Sequence, residues 1–264
     1  MDSVPKIMAH QYNPLGRTPW SGWAAVFISI SFLAFQFIIA ALVGVVLLVS
    51  VVGTSVFDGG LLVGEVRTLI DIGIISFAIS YILTTGVVVF VGGLRGGAVL
   101  DVLLLRKPDN FIANLITGFV LLVFFFWLLS FVIETFFVGD AKQNEAQMKQ
   151  IFTAIKSSNL LWVGVVIVVI GAPVIEEMIF RGFLLNSLSK TRLGFWGAAG
   201  VSSLLWALVH GYATSMAVGL FVFGLLLSLM VKRSGSIWIS IILHSLWNGF
   251  VTAGMLVALG NSVS

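Results

Sequence analysis

The chain contains no cysteine. Disulfides, thiolate metal sites and a cysteine nucleophile are therefore excluded together. Charge is nearly as scarce, since Lys, Arg, Asp and Glu make up 9% of 264 residues against 59% hydrophobic ones. A soluble globular domain needs far more charge on its surface, so that class is excluded too. No HExxH, GxSxG or GxGD pattern occurs, which removes the zincin, nucleophile-elbow and presenilin-type signatures. The net charge of +3 gives no sign of a nucleic-acid partner. There is no obvious internal repeat, which disfavours an inverted-repeat transporter.

What the chain has instead is long apolar runs. Residues 1–19 are mostly polar, with Lys6, His10, Arg17 and three prolines, and His10 is expected to be exposed there. The apolar run that follows is roughly twice the length of a signal-peptide core, so it reads as a retained first span. Seven segments are marked by length: 20–52, 68–93, 112–137, 159–187, 196–212, 215–231 and 236–259. The expected fold is all-α, a polytopic transmembrane helical bundle of about seven spans (six to eight), forming a single integral membrane domain over residues 1–264. A short loop carries Asp58, Glu65 and Arg67, residues 98–106 read as a short interfacial stretch, and 139–158 as a solvent-exposed, partly helical connection.

Loop charge sets the orientation. With the N-terminus in the cytoplasm, that side holds Lys6, Arg17, Arg95, Arg106, Lys107, Lys190, Arg192, Lys232 and Arg233. The other side holds only Arg67, Lys142, Lys149 and Lys156. Nine against four obeys the positive-inside rule and, with seven spans, puts the C-terminus outside.

Ionisable groups at membrane depth cluster in the C-terminal half: Glu176, Glu177, Arg181, His210 and His244. A carboxylate at mid-bilayer costs ~2.5–3.5 kcal/mol even on lenient insertion scales, so a buried polar site is expected there. Glu177 and Arg181 are four residues apart on one helix face, in the favourable order for an ion pair. Glu176 is turned ~100° from Glu177 and can point elsewhere. Trp206 and His210, and His244 and Asn248, repeat the same spacing on later segments. A carboxylate and a histidine sharing a water can act as general base, while Asn and a second histidine can steady an oxyanion. The same residues could instead hold a divalent metal such as zinc. Taken singly, the Glu177–Arg181 pair can be purely structural, and Trp206 reads as packing.

The three patterns Glu176-Glu177-x-x-x-Arg181, Trp206-x-x-x-His210 and His244-x-x-x-Asn248 resemble the signatures EExxxR, FxxxH and HxxxN/B of the CPBP family. That family contains the type II CAAX prenyl endopeptidases and the bacterial Abi proteins. The match covers a motif-bearing core of residues 159–252, with Trp206 where Phe is commoner. The resemblance implies an intramembrane endopeptidase in a prokaryotic cytoplasmic membrane. Glu176 and His210 would activate water, His244 and Asn248 would hold the oxyanion, and Glu177 with Arg181 would organise the site. No cofactor is preferred, because HExxH is absent and Asn is a poor ligand; a metal, if used, would take Glu176, His210 and His244. The partner would be a membrane-embedded or lipidated protein or peptide, with prenylated CAAX tails and signal-like or bacteriocin-like peptides equally open. The alternatives are a non-catalytic scaffold or immunity-type protein and a proton-coupled carrier.

One geometric difficulty stands. Glu176 and His244 each fall about ten residues from the cytoplasmic ends of their spans, but His210 is some sixteen from Gly194. At ~1.5 Å per residue that lifts His210 by roughly 9 Å. Unless the Gly194–Gly200 stretch starts its helix late or inside the membrane, the motifs do not meet.

Overall fold

The computed structural model describes residues 15–51, 63–136 and 138–261, which carry nine helices and no strand. In order they are α1 (Gly22–Val51), α2 (Val63–Gly93), α3 (Val99–Val102), α4 (Phe111–Phe136), α5 (Val138–Ser157), α6 (Leu161–Ser189), α7 (Gly194–Val209), α8 (Thr214–Ser234) and α9 (Trp238–Asn261). The sequence's Asp58 loop and His10 lie outside the described residues. α1, α2, α4, α6, α8 and α9 are long and apolar enough to cross a membrane. A helix pairs its own backbone polar groups, so it can spend its outer surface on apolar contact with lipid. Trp23 and Phe27 of α1 and Ile112 and Trp127 of α4 make such an outward surface. The chain is an integral membrane protein.

The fifth apolar segment is the exception. α7 has 16 residues, about 24 Å at 1.5 Å per residue, short of the ~30 Å hydrocarbon thickness. It stops at His210 because Gly211 turns the chain at φ +65°, a conformation a side chain resists.

Residues 98–106, expected at the interface, are packed inside the end of the bundle. Val102, Leu103 and Leu104 are at most 1% exposed. The carbonyl of Leu104 accepts from the Ile237 N–H at 3.0 Å, and the Asp109 N–H donates to Ser234 O at 2.8 Å. This correction has a physical cause: a buried non-helical backbone must find partners, and one side chain supplies them. Asn186 donates to the carbonyls of Asp101 and Val102, both at 3.0 Å, and accepts from the Gly16 N–H at 2.6 Å. The α8–α9 turn is thereby recessed, with Ser234, Ser236 and Ile237 all buried.

The 139–158 connection also differs from its expected form. α5 is a full helix whose Asn144, Phe152 and Ile155 are buried, while Glu145 and Lys149 pair on its exposed side at 2.7 Å. Spacings of three, four, seven and eight residues put one face inward, so the segment is amphipathic rather than solvated all round. Asn144 ties it to the α7–α8 connection, donating to Ser215 Oγ at 3.2 Å and accepting from the Ala213 N–H at 3.1 Å. At the other end Ser158 and Asn159 bond the Asp71 carboxylate of α2.

Gly182 lets α6 lie against the inserted segment, since a Cβ there would stand 2.7 Å from Leu103 O. Gly182→Ala should therefore cost about 1–3 kcal/mol of stability by overpacking. Gly200→Ala, with nothing within 4 Å of its Cβ, should leave thermal unfolding in detergent unchanged or raised. Equal melting temperatures for the two variants would contradict the packing described.

Candidate active site

The site begins with an irregularity in α6. Pro173 has no N–H to donate and interrupts the helical ladder. The helix widens to i→i+5 turns over Ile167–Gly171 and again over Met178–Leu185. Such π-bulges gather at functional sites because they re-aim side chains and free carbonyls. Val168, five residues before Pro173, keeps such a carbonyl, and Asn248 of α9 donates its Nδ2 to it at 2.9 Å. A carbonyl only accepts, so this partner fixes which way the Asn248 amide points.

Glu177 and Arg181 are completely buried and paired at 2.9 Å. Gly224 of α8 makes room for the guanidinium, because a Cβ there would stand 2.9 Å from Arg181 Nη2. The Trp206 ring covers it at 4.5 Å. The same Glu177 oxygen faces His244 Nδ1 at 3.1 Å. Glu177 thus holds an arginine on its own helix and a histidine on another.

Glu176, one residue earlier, turns into a cavity of about 340 Å³ with mostly apolar walls, including Phe126, Leu220 and Trp247. Its Oε2 accepts the Trp206 indole N–H at 2.6 Å and stands 3.9 Å from Nε2 of both His210 and His244. His210 Nδ1 lies 2.7 Å from the carbonyl of Trp206, one turn back. Since that carbonyl can only accept, Nδ1 carries the proton and the Nε2 lone pair faces the cavity. His210 and Glu176 keep 24% and 19% side-chain exposure, His244 only 4%.

The structure brings Glu176, Trp206, His210, His244 and Asn248 to one cavity, with Glu177 and Arg181 directly behind it. The depth difficulty is resolved without a late start to α7, which begins at Gly194. α6 runs on to Ser189, thirteen residues beyond Glu176, so Glu176 and His210 differ by only about 4–5 Å along their helices, a side chain's reach. His244 is drawn inward by the recessed α8–α9 turn. Two features escaped the sequence reading. Trp206 does more than pack, and its signal was its departure from Phe, which has no N–H to give. The Val168 carbonyl had no signal beyond a proline in an apolar run.

Among the described residues no group of three or more His, Asp and Glu side chains is disposed to hold a metal ion. Both histidines face one carboxylate oxygen that already accepts an indole N–H. This arrangement is a hydrogen-bond hub and does not fit a cation's ligand set, so no step is derived through a metal.

Residues 158–250 match the family model described as Type II CAAX prenyl endopeptidase Rce1-like. No curated protein and no solved structure matches the chain.

Removing one partner of a buried ion pair leaves an uncompensated charge. Arg181→Leu should cost about 3–5 kcal/mol, and adding Glu177→Gln should recover part of that loss. Denaturant unfolding of both variants in detergent micelles measures this. A double variant less stable than Arg181→Leu would contradict the pairing.

Proposed function

Because residues 158–250 belong to the type II CAAX prenyl endopeptidase Rce1-like family, we propose that the protein is an intramembrane endopeptidase. It hydrolyses a peptide bond of a membrane-associated protein or peptide with water activated by Glu176 and His210. The observation that supports this most is the 3.9 Å approach of Glu176 Oε2 to both histidine Nε2 atoms at an apolar cavity. One water oxygen can hydrogen-bond both members of a pair at that separation.

In this reading Glu176 takes the proton of the attacking water, and His210, with its Nε2 lone pair turned inward, orients the same water. The water oxygen bonds to the scissile carbonyl carbon. The C–N bond then breaks as the proton held by Glu176 passes to the departing nitrogen. His244, fixed through Nδ1 by Glu177, presents Nε2 to the developing oxyanion. The second amide hydrogen of Asn248 is free to join it, since one already goes to Val168. Trp206 steadies the base through its indole N–H. A metal has no part in this scheme.

Glu176→Gln and His210→Ala should abolish cleavage of a quenched, lipid-anchored peptide in proteoliposomes while leaving insertion and unfolding unchanged. Cleavage retained by either would sink the proposal. Asn248→Ala should lower kcat about 10²–10³-fold, as loss of an oxyanion donor does. Trp206→Phe, which keeps the ring but not the N–H, should cost about ten- to a hundredfold. Chelation should leave the rate unchanged; zinc-restored loss would contradict the metal-free scheme.

A further inference from the structure

The two ends of the bundle are unlike, and the cavity belongs to one of them. At the first end the connections are tied to one another. Lys190 Nζ donates to Thr18 O at 2.6 Å, Arg95 stacks over Trp20 at 4.6 Å, and Arg233 reaches Asn114 at 3.3 Å. Lys232 lies over the Phe195 ring at 4.6 Å. These contacts, with the 94–110 segment bonded to the α8–α9 turn, gather most of the chain's Lys and Arg at this end. At the opposite end stand Arg67 and the three lysines of α5. Basic residues near span ends are retained in the cytoplasm, so the first end is the cytoplasmic one.

The cavity is closed toward that end. Leu103, Phe180, Phe183, Leu184, Leu227 and Ile239 form a layer in which no residue is more than 1% exposed. None of them lines the cavity. The walls instead include Met148, Ile151 and Phe152 of α5, and Tyr212 and Met216 beside the α7–α8 turn. α7 is short, so this turn is recessed, and α5 lies across the recess with Asn144 tied to Ala213 and Ser215. Water and peptide therefore meet Glu176 from the α5 end.

We infer that the site works from the non-cytoplasmic face of the membrane, on peptide bonds presented there beneath α5. This rests on the endopeptidase reading and narrows its substrate class. The substrate is an exported or membrane-anchored precursor whose scissile bond lies at the outer interface, flanked by apolar residues that suit the cavity walls. Lipidated tails that stay in the cytosol cannot reach the catalytic groups.

The natural absence of cysteine makes the test direct. Lys149→Cys on exposed α5 and Arg192→Cys on the α6–α7 connection are treated in right-side-out vesicles with a membrane-impermeant maleimide. Lys149→Cys should label at once, and Arg192→Cys should show no labelling until the vesicles are permeabilised. The reverse pattern, or labelling of both before permeabilisation, overturns the inference. A quenched peptide anchored by a palmitoyl chain is then added to right-side-out and to inside-out vesicles. Cleavage confined to the right-side-out vesicles supports the inference, and cleavage confined to inside-out vesicles overturns it. No cleavage in either, with the labelling pattern as stated, sinks the endopeptidase reading and leaves the topology standing.

Discussion

Everything around the cavity depends on the buried contact between Glu177 and Arg181. Each charge alone would be intolerable where it sits, and together they still need the desolvation cost offset by close partners. The guanidinium has the Trp206 face above it and the space at Gly224 beside it. The carboxylate has His244 at 3.1 Å. α6, α7, α8 and α9 are thus locked in register by one ion pair and its neighbours. The two motif pairs on α7 and α9 approach Glu176 because they are already bound to Glu177 and Arg181.

The adjacent carboxylates consequently do different work. Glu177 spends its charge inside the protein, and Glu176, about 100° round the helix, keeps an edge on the cavity. The widened turns make this division possible. A strict α-helix through Pro173 would leave a carbonyl orphaned in an apolar layer, a costly defect. Here the orphan becomes the anchor for Asn248. A local fault in α6 thereby positions a side chain of α9.

The helical class, the long spans and the polar cluster were legible in the sequence because they follow from hydropathy and from the cost of charge in lipid. Glu176, His210, His244 and Asn248 were legible as spacings, and their approach to one cavity follows from contacts that spacing does not encode. The 98–106 stretch looked interfacial because nothing local says that Asn186, some 85 residues away, will satisfy its carbonyls. α5 looked solvated because its polar residues outnumber its apolar ones, although the few apolar ones share a face. The length of α7 was overestimated because hydropathy continues past His210, whereas Gly211 ends the helix by geometry.

The central claim is that a water held by Glu176 becomes part of the product. Single-turnover cleavage of an anchored peptide in ¹⁸O-water, read by mass spectrometry, tests it most directly. The wild-type protein should place one ¹⁸O in the new carboxyl terminus, and Glu176→Gln should yield no product. Labelled product from Glu176→Gln, at the wild-type rate, would contradict the assignment of the base.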